Sequence, residues 1–220
     1  MTTKLLLIRA EHDGFTSQAS EAADLVKTYA ENNGWTVVDK AGNGANKNDV
    51  LAALKGTINF VIHYGHGEKD ALFGQTDHGN KKEKIFDKNN IGQSLKNNKI
   101  SLSTVSCLSA SELGNAAAPS PSGVNAYLGY NVEIAFPKKK STFINIFYDA
   151  YNEPNKLLLS GQPFQKALQD GRAFFLQKYQ QVQGMNNPNI DPREKFFALS
   201  YLDRARDALT LCGNGAVTAK

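Results

Sequence analysis

Two cysteines, Cys107 and Cys212, are too few in 220 residues for a disulfide framework. Long apolar runs are also missing. The longest are strand-sized, far short of the roughly 20 residues that cross a bilayer, and the amino terminus has neither the hydrophobic core nor the cleavage site of a signal peptide. No membrane association and a cytoplasmic location are therefore expected. No Gly-x-Ser-x-Gly elbow occurs, which counts against a serine hydrolase. The lack of a Walker loop and of a Gly-x-Gly-x-x-Gly after a strand counts against nucleotide enzymes. Charge excess is small, at +4, and its clusters at Lys81-Lys82-Glu83-Lys84 and Lys138-Lys139-Lys140 lack interleaved aromatics, so they read as solvated loops and not as a nucleic-acid surface. With 41% hydrophobic and 21% charged residues, neither disorder nor a fibrous repeat is indicated.

Against these absences stand two short segments, Phe60-Val61-Ile62-His63-Tyr64-Gly65-His66-Gly67 and Ser103-Thr104-Val105-Ser106-Cys107-Leu108-Ser109-Ala110. Each is an apolar run ending abruptly in a reactive side chain among small residues. A buried parallel strand delivers a catalytic group to the carboxyl end of a sheet in this way. A thiol with a histidine partner is the minimum equipment for cysteine-based acyl transfer.

The rest of the chain reads as alternating strands and helices. Strands are expected at residues 4–9, 35–38, 58–63 and 100–106, with helices at 17–33, 49–54 and 91–97 between them. Residues 68–90 are polar with little periodicity and read as a long functional or mobile loop, a candidate lid. Residues 116–123 read as a linker-like loop, 124–128 and 131–136 as short strands, and 142–151, 162–181 and 191–209 as helices, the last two with Pro163 and Pro192 in their first turns. The pattern predicts an α/β fold with a mainly parallel central sheet flanked by helices. One domain over 1–220 is expected, with 184–220 as a C-terminal helical extension.

Cys107 is the candidate nucleophile and His66 the candidate acid and base. The amide of Gly67 and that of Cys107 itself are the candidate oxyanion donors, glycine allowing a close backbone approach. The bland alternative for Cys107 is a small buried hydrophobe. His63 falls on the face opposite His66 by strand alternation and reads as a core histidine that orients its neighbour. His12 and His78 read as loop residues and Cys212 as structural. A metal site on His63 and His66 would be only half a zinc site, so no metal is expected.

Tyr64-Gly65-His66-Gly67 is similar to the Tyr-Ser-Gly-His-Gly block of metacaspases. Residues 105–114, Val-Ser-Cys-Leu-Ser-Ala-Ser-Glu-Leu-Gly, resemble the Leu-Ser-Ala-Cys-x-Thr-Gly block of CHAT and gingipain-like members of the caspase-fold (clan CD) cysteine peptidases. Residues 143–173 extend the resemblance, and histidine precedes cysteine as in that family. Serine stands before Cys107 where alanine is usual, and Leu211-Cys212-Gly213-Asn214 only faintly matches the Gly-Asp-Pro segment that closes gingipain-like domains.

The resemblance implies a three-layer caspase-like sandwich and a cysteine endopeptidase in which Cys107 attacks the peptide carbonyl, His66 protonates the leaving amine and the amides of Gly67 and Cys107 hold the oxyanion. It implies a protein or peptide substrate and no required cofactor, although calcium dependence occurs among similar proteases. It also places part of the first substrate pocket on the loop after the first strand. There Glu11 or Asp13 would attract Arg or Lys and Arg9 would attract Asp. A basic preference is favoured, against the alternative that Glu11 and Asp13 only cap the following helix. The basic clusters at residues 81–84 and 138–140 would then be sites of self-cleavage. Two other readings remain: an inactive module of this fold used for binding or scaffolding, and a cysteine hydrolase or acyltransferase acting on a non-peptide carbonyl.

Overall fold

The computed structural model describes residues 3–76, 81–95, 100–118 and 124–220. Lys4–Arg9 forms β1, whose inner four residues are all buried, and Gly14–Asn32 forms α1. Asp13 caps α1 through a capping box: its side chain accepts from the Thr16 N–H, and the Thr16 hydroxyl accepts from the Asp13 N–H. The chain continues through β2 (Thr36–Ala41), a short 3-10 turn (Gly42–Ala45), α2 (Lys47–Leu54) and β3 (Phe60–Tyr64). A small antiparallel sheet of β4 (Gly67–Glu68), β5 (Ala71–Gln75) and β6 (Lys82–Asp87) follows, then α3 (Ile91–Leu95) and β7 (Ser101–Val105). The rest comprises α4 (Glu112–Ala117), β8 (Ala126–Tyr130), α5 (Ile144–Leu159), α6 (Phe164–Gln183), α7 (Pro192–Ala208) and β9 (Leu209–Gly213).

The main sheet runs β2-β1-β3-β7-β8-β9, parallel from β2 to β8 and antiparallel only at β9. Side-chain alternation divides its core in two. Leu5, Leu7, Phe60, Ile62 and Tyr64 face the layer of α1, α5, α6 and α7, whereas Leu6, Ile8, Val61 and Leu102 face α2, α3, α4 and the small sheet. Helices thus cover both faces, and the expected layered α/β architecture is present.

Several local expectations change. Residues 68–90 are not a loop: most of those described belong to β4, β5 and β6, and every residue of β5 is buried. Residues 131–136 form no strand, α5 continues past residue 151 to Leu159, and 184–220 is not helical throughout, because β9 returns to the sheet beside β8. The expected loop at 116–123 is helical at its first two residues, and its stretch 119–123 lies outside the described residues, as do His78 and the last two residues of the helix expected at 91–97. Among the described residues no helix is long and apolar enough to cross a membrane.

Candidate active site

Strand order places the site. After β1 the chain crosses to β2 on one side, whereas β3 lies on the other and leads on to β7. Loops leaving the carboxyl ends of β1 and β3 therefore diverge and open a crevice, the position where open α/β sheets bind ligands. The loop after β1 brings His12 and Asp13 to this crevice, and the loop after β3 brings His66. Cys107 follows β7, the next strand.

His66 Nε2 lies 2.5 Å from Asp13 Oδ2. Because a carboxylate only accepts, this contact makes Nε2 the donor, and in the neutral ring Nδ1 then keeps the lone pair. Burial raises the Asp13 pKa, but the Thr16 N–H, His66 and the Thr16 hydroxyl outweigh it and hold the carboxyl at about 2. Phe15 stacks on the His66 ring at 5.4 Å and meets Phe136 at 5.5 Å, so the ring is gripped from its face as well as its rim. His12 lies on another side, its ring centre 5.1 Å from that of His66.

Cys107 is mostly buried beside the segment after β8. Its sulfur lies 3.4 Å from both the Ile134 carbonyl and the Ile134 N–H. Burial pushes the thiol above its ordinary pKa and Glu133 adds to the rise, against hydrogen bonds from the Ile134 amide and the cysteine's own amide. The resting group is a thiol. Leu108, next in the chain, has φ 55°, a left-handed conformation costly for a branched side chain, and its N–H donates to the Val132 carbonyl at 2.9 Å. Gly67 touches this strand end directly: a Cβ there would stand 2.4 Å from the Cys107 carbonyl oxygen.

His63 is fully buried under the crevice. Its Nε2–H donates to the Phe73 carbonyl at 2.9 Å, so Nδ1 is the acceptor that faces the hydroxyls of Thr104 at 3.0 Å and Ser106 at 2.9 Å; these lie 2.7 Å apart, one donating to the other and the second to Nδ1. Burial lowers its pKa to about 4, so the ring is neutral at pH 7. The histidine ties β3 to β7 and β5, and with them the two chain segments that carry His66 and Cys107.

The loop after β1 divides its charges. Arg9 forms a two-pronged pair with Asp39 at 2.9 and 2.8 Å, reaches Asp24 at 2.9 Å and the Ser20 hydroxyl at 3.0 Å, and its side chain is only 12% exposed. It presents no free guanidinium to a ligand. Glu11 accepts from the Ser20 hydroxyl at 2.7 Å and, with Ser17, Ser20, Glu21 and Asp24, lines an acidic depression of about 260 Å³. Asp13 is engaged by His66 and the α1 cap. A larger hollow of about 470 Å³ lies beside Phe136, between Lys138 and the start of α7, where Asp191, Arg193 and Glu194 mix both signs of charge.

The structure thus brings Asp13 to His66 and sets Gly67 against Cys107, and it separates Arg9 and Glu11 from that cluster through their own ion pairs. His12, read from the sequence as a loop residue, belongs at the crevice; its adjacency to Asp13 was the available signal. Cys212 is buried near the Ala110 carbonyl and Asn115, and both cysteines are free.

No family model matches the chain, and no curated relative matches it by sequence. Solved structures do match. One is the crystal structure of gingipain R, described as an Arg-specific cysteine proteinase, at 15% identity and a TM-score of 0.65 over 98% of this chain and 47% of that one. Another is the complex of the pro- and mature domains of RgpB from Porphyromonas gingivalis, at 14% identity and 0.65 over 99% and 48%. A third, of a protease, aligns at 12% identity and 0.60 over 97% and 48%. The chain spans about half the length of these structures. At this identity the likeness shows the fold: a mostly parallel sheet flanked by helices, as in the caspase-like fold of gingipain.

Proposed function

We propose that this chain is a cysteine endopeptidase of the caspase-like fold, acting through Cys107 and His66. The observation that carries the reading is the 2.5 Å contact between Asp13 and His66 at the crevice of a gingipain-like fold, with Cys107 at the end of the neighbouring strand. Asp13 fixes the ring with Nε2 protonated, which leaves Nδ1 as the atom that exchanges protons with substrate and thiol.

In this mechanism His66 Nδ1 takes the Cys107 thiol proton as the sulfur bonds to the scissile carbonyl carbon. The negative charge moves to the carbonyl oxygen, where the amides of Gly67 and Cys107 stabilise it. Nδ1 then passes its proton to the departing amine as the C–N bond breaks, leaving an acyl group on sulfur. Water deprotonated by the same nitrogen hydrolyses the thioester and restores the thiol. Because burial favours the thiol at rest, the attack depends on a bound substrate that excludes water and draws the proton towards His66.

Substrates in this reading are proteins or peptides. A basic P1 residue suits the excess of acid in the depression, where Glu11 and Asp24 share the one Arg9 guanidinium that Asp39 already engages with two hydrogen bonds, and that guanidinium offers nothing to an aspartate. The test is cleavage of a fluorogenic peptide library covering every P1 residue, with and without calcium, by the wild type, Cys107→Ala and His66→Ala. Cleavage after Arg or Lys that is lost in both variants is expected. A folded wild type that cleaves nothing under either condition would overturn the reading in favour of a binding module. Cleavage that survives Cys107→Ala would remove the proposed nucleophile.

A further inference from the structure

His66 has a second neighbour that the peptidase reading does not use. The His12 side chain is only 7% exposed, its Nδ1 has no hydrogen-bond partner among the described residues, and its Nε2 stands 3.7 Å from Asp13 Oδ2, the oxygen that also contacts His66. Among the described residues no hydrogen bond therefore holds either nitrogen of this ring: Nδ1 is unpartnered, and Nε2 faces the Asp13 carboxylate from beyond hydrogen-bond length, open to an ion between them. Donor atoms of His12, Asp13 and His66 all lie within 4.8 Å of one another, the one such group of three among the described residues.

We propose that His12, Asp13 and His66 form a binding site for a zinc-class divalent cation, and that the cation, bound to His66 Nε2, inhibits by holding the ring's one proton on Nδ1, which then cannot take the thiol proton. The donor set decides the class: two imidazoles and one carboxylate suit zinc and its transition-metal neighbours, whereas calcium takes oxygen ligands. The geometry needs a side-chain adjustment of about 1–1.5 Å. Bonds of about 2.0–2.1 Å to a tetrahedral ion separate the ligand atoms by about 3.3 Å. His12 and Asp13, at 3.7 Å, are near that spacing, Asp13 and His66 must part by under about 1 Å, and the widest pair, at up to 4.8 Å, must close by about 1.5 Å. The fourth position is left to water. His12 and Asp13 share one loop and His66 comes from another, so the ion also clamps the crevice shut between β1 and β3. The inhibitory part rests on the peptidase reading of His66; the binding part does not.

Binding is tested with zinc chloride and the full chain by isothermal titration calorimetry at pH 7.5. One zinc per chain is expected. At least a tenfold loss of affinity is expected in His12→Gln and in Asp13→Asn, with no change in Cys107→Ala. No saturable binding to the wild type, or a dependence on Cys107 and not on His12, would overturn the site. Cobalt added to the wild type gives a readout that needs no variant to fold: visible ligand-field bands without a thiolate charge-transfer band support the assignment, and a charge-transfer band refutes it. Inhibition is read separately, each protein against its own metal-free cleavage rate, and His12→Gln should need at least tenfold more zinc for half-inhibition. Zinc bound through His12 by a chain that cleaves no peptide would leave the metal site standing and sink the peptidase reading instead. Equal zinc sensitivity in wild type and His12→Gln would remove the inhibitory role.

Discussion

Gly67 and Cys107 are in backbone contact, so close that a Cβ on the glycine would stand 2.4 Å from the Cys107 carbonyl oxygen and 2.8 Å from Ser106 Cβ. Gly67→Ala must therefore push the two strand ends apart. A loss of about 1–3 kcal/mol of stability is expected, measured by urea unfolding. Cleavage should fall on the order of 10²-fold, because the displaced amide no longer meets the oxyanion. A variant as active as the wild type would show that this contact does not shape the site.

Asp13 has two tasks that substitution separates. Asparagine still caps a helix, so Asp13→Asn should change stability by only a few tenths of a kcal/mol, whereas Asp13→Ala should lose about 1 kcal/mol. Peptide cleavage should fall on the order of 10³-fold in Asp13→Asn, because an amide that donates to Nε2 moves the His66 proton to Nδ1. Thermal melts beside steady-state rates distinguish these effects. Rates that track stability across the two variants would count against a role in orienting His66.

His63 makes stability depend on pH. Its pKa is about 4 in the folded chain against 6.5 for the free side chain, so the unfolded chain binds the extra proton in between. Its contribution is complete above pH 6.5, declines as pH falls and is lost by about pH 4, a total of about 3 kcal/mol. Urea unfolding at intervals over that window should show the decline in the wild type and a flatter profile in His63→Gln. An equal slope in both would place the proton elsewhere.

Arg9 joins β1 to β2 and α1 through Asp39 and Asp24. Arg9→Ala leaves Asp39 with Lys27 at 3.2 Å as its remaining cation, and a loss of about 2 kcal/mol is expected by chemical denaturation. P1 preference, read on the same peptide library, should not move. A shift away from Asp-containing substrates would return Arg9 to the substrate pocket.

The parts of the fold legible in the sequence are those whose information is local. The run Lys4–Arg9 is a strand with the expected bounds because its four inner side chains are apolar and a charged residue stands at each end, and Tyr64-Gly65-His66-Gly67 announces a strand end by its glycines. The small sheet was hidden for the opposite reason. β6 mixes Lys82, Glu83, Lys84 and Asp87 with only Ile85 and Phe86, and β5 contains Gly74, whose Cα packs so tightly on the Ala45 carbonyl that a Cβ would stand 1.8 Å from it. β9 is short and directly continues a helical pattern. The Asp13–His66 pair joins residues 53 apart, a meeting that strand order creates and no local spacing encodes.

β9 also has a temporal meaning. It is made by residues 209–213, yet it pairs along the whole of β8, from Ala126 to Tyr130. Until the ribosome has released those late residues, the flank of β8 exposes unsatisfied backbone donors and acceptors, an adhesive template for any other extended chain. A nascent chain halted after α7 should therefore self-associate and pellet on centrifugation, whereas the full chain stays dispersed. Equal dispersal of both would show that β8 is shielded by other means. β9 thus acts as a cover for the flank of β8, and biosynthesis is safest when translation runs through residue 213 without pause.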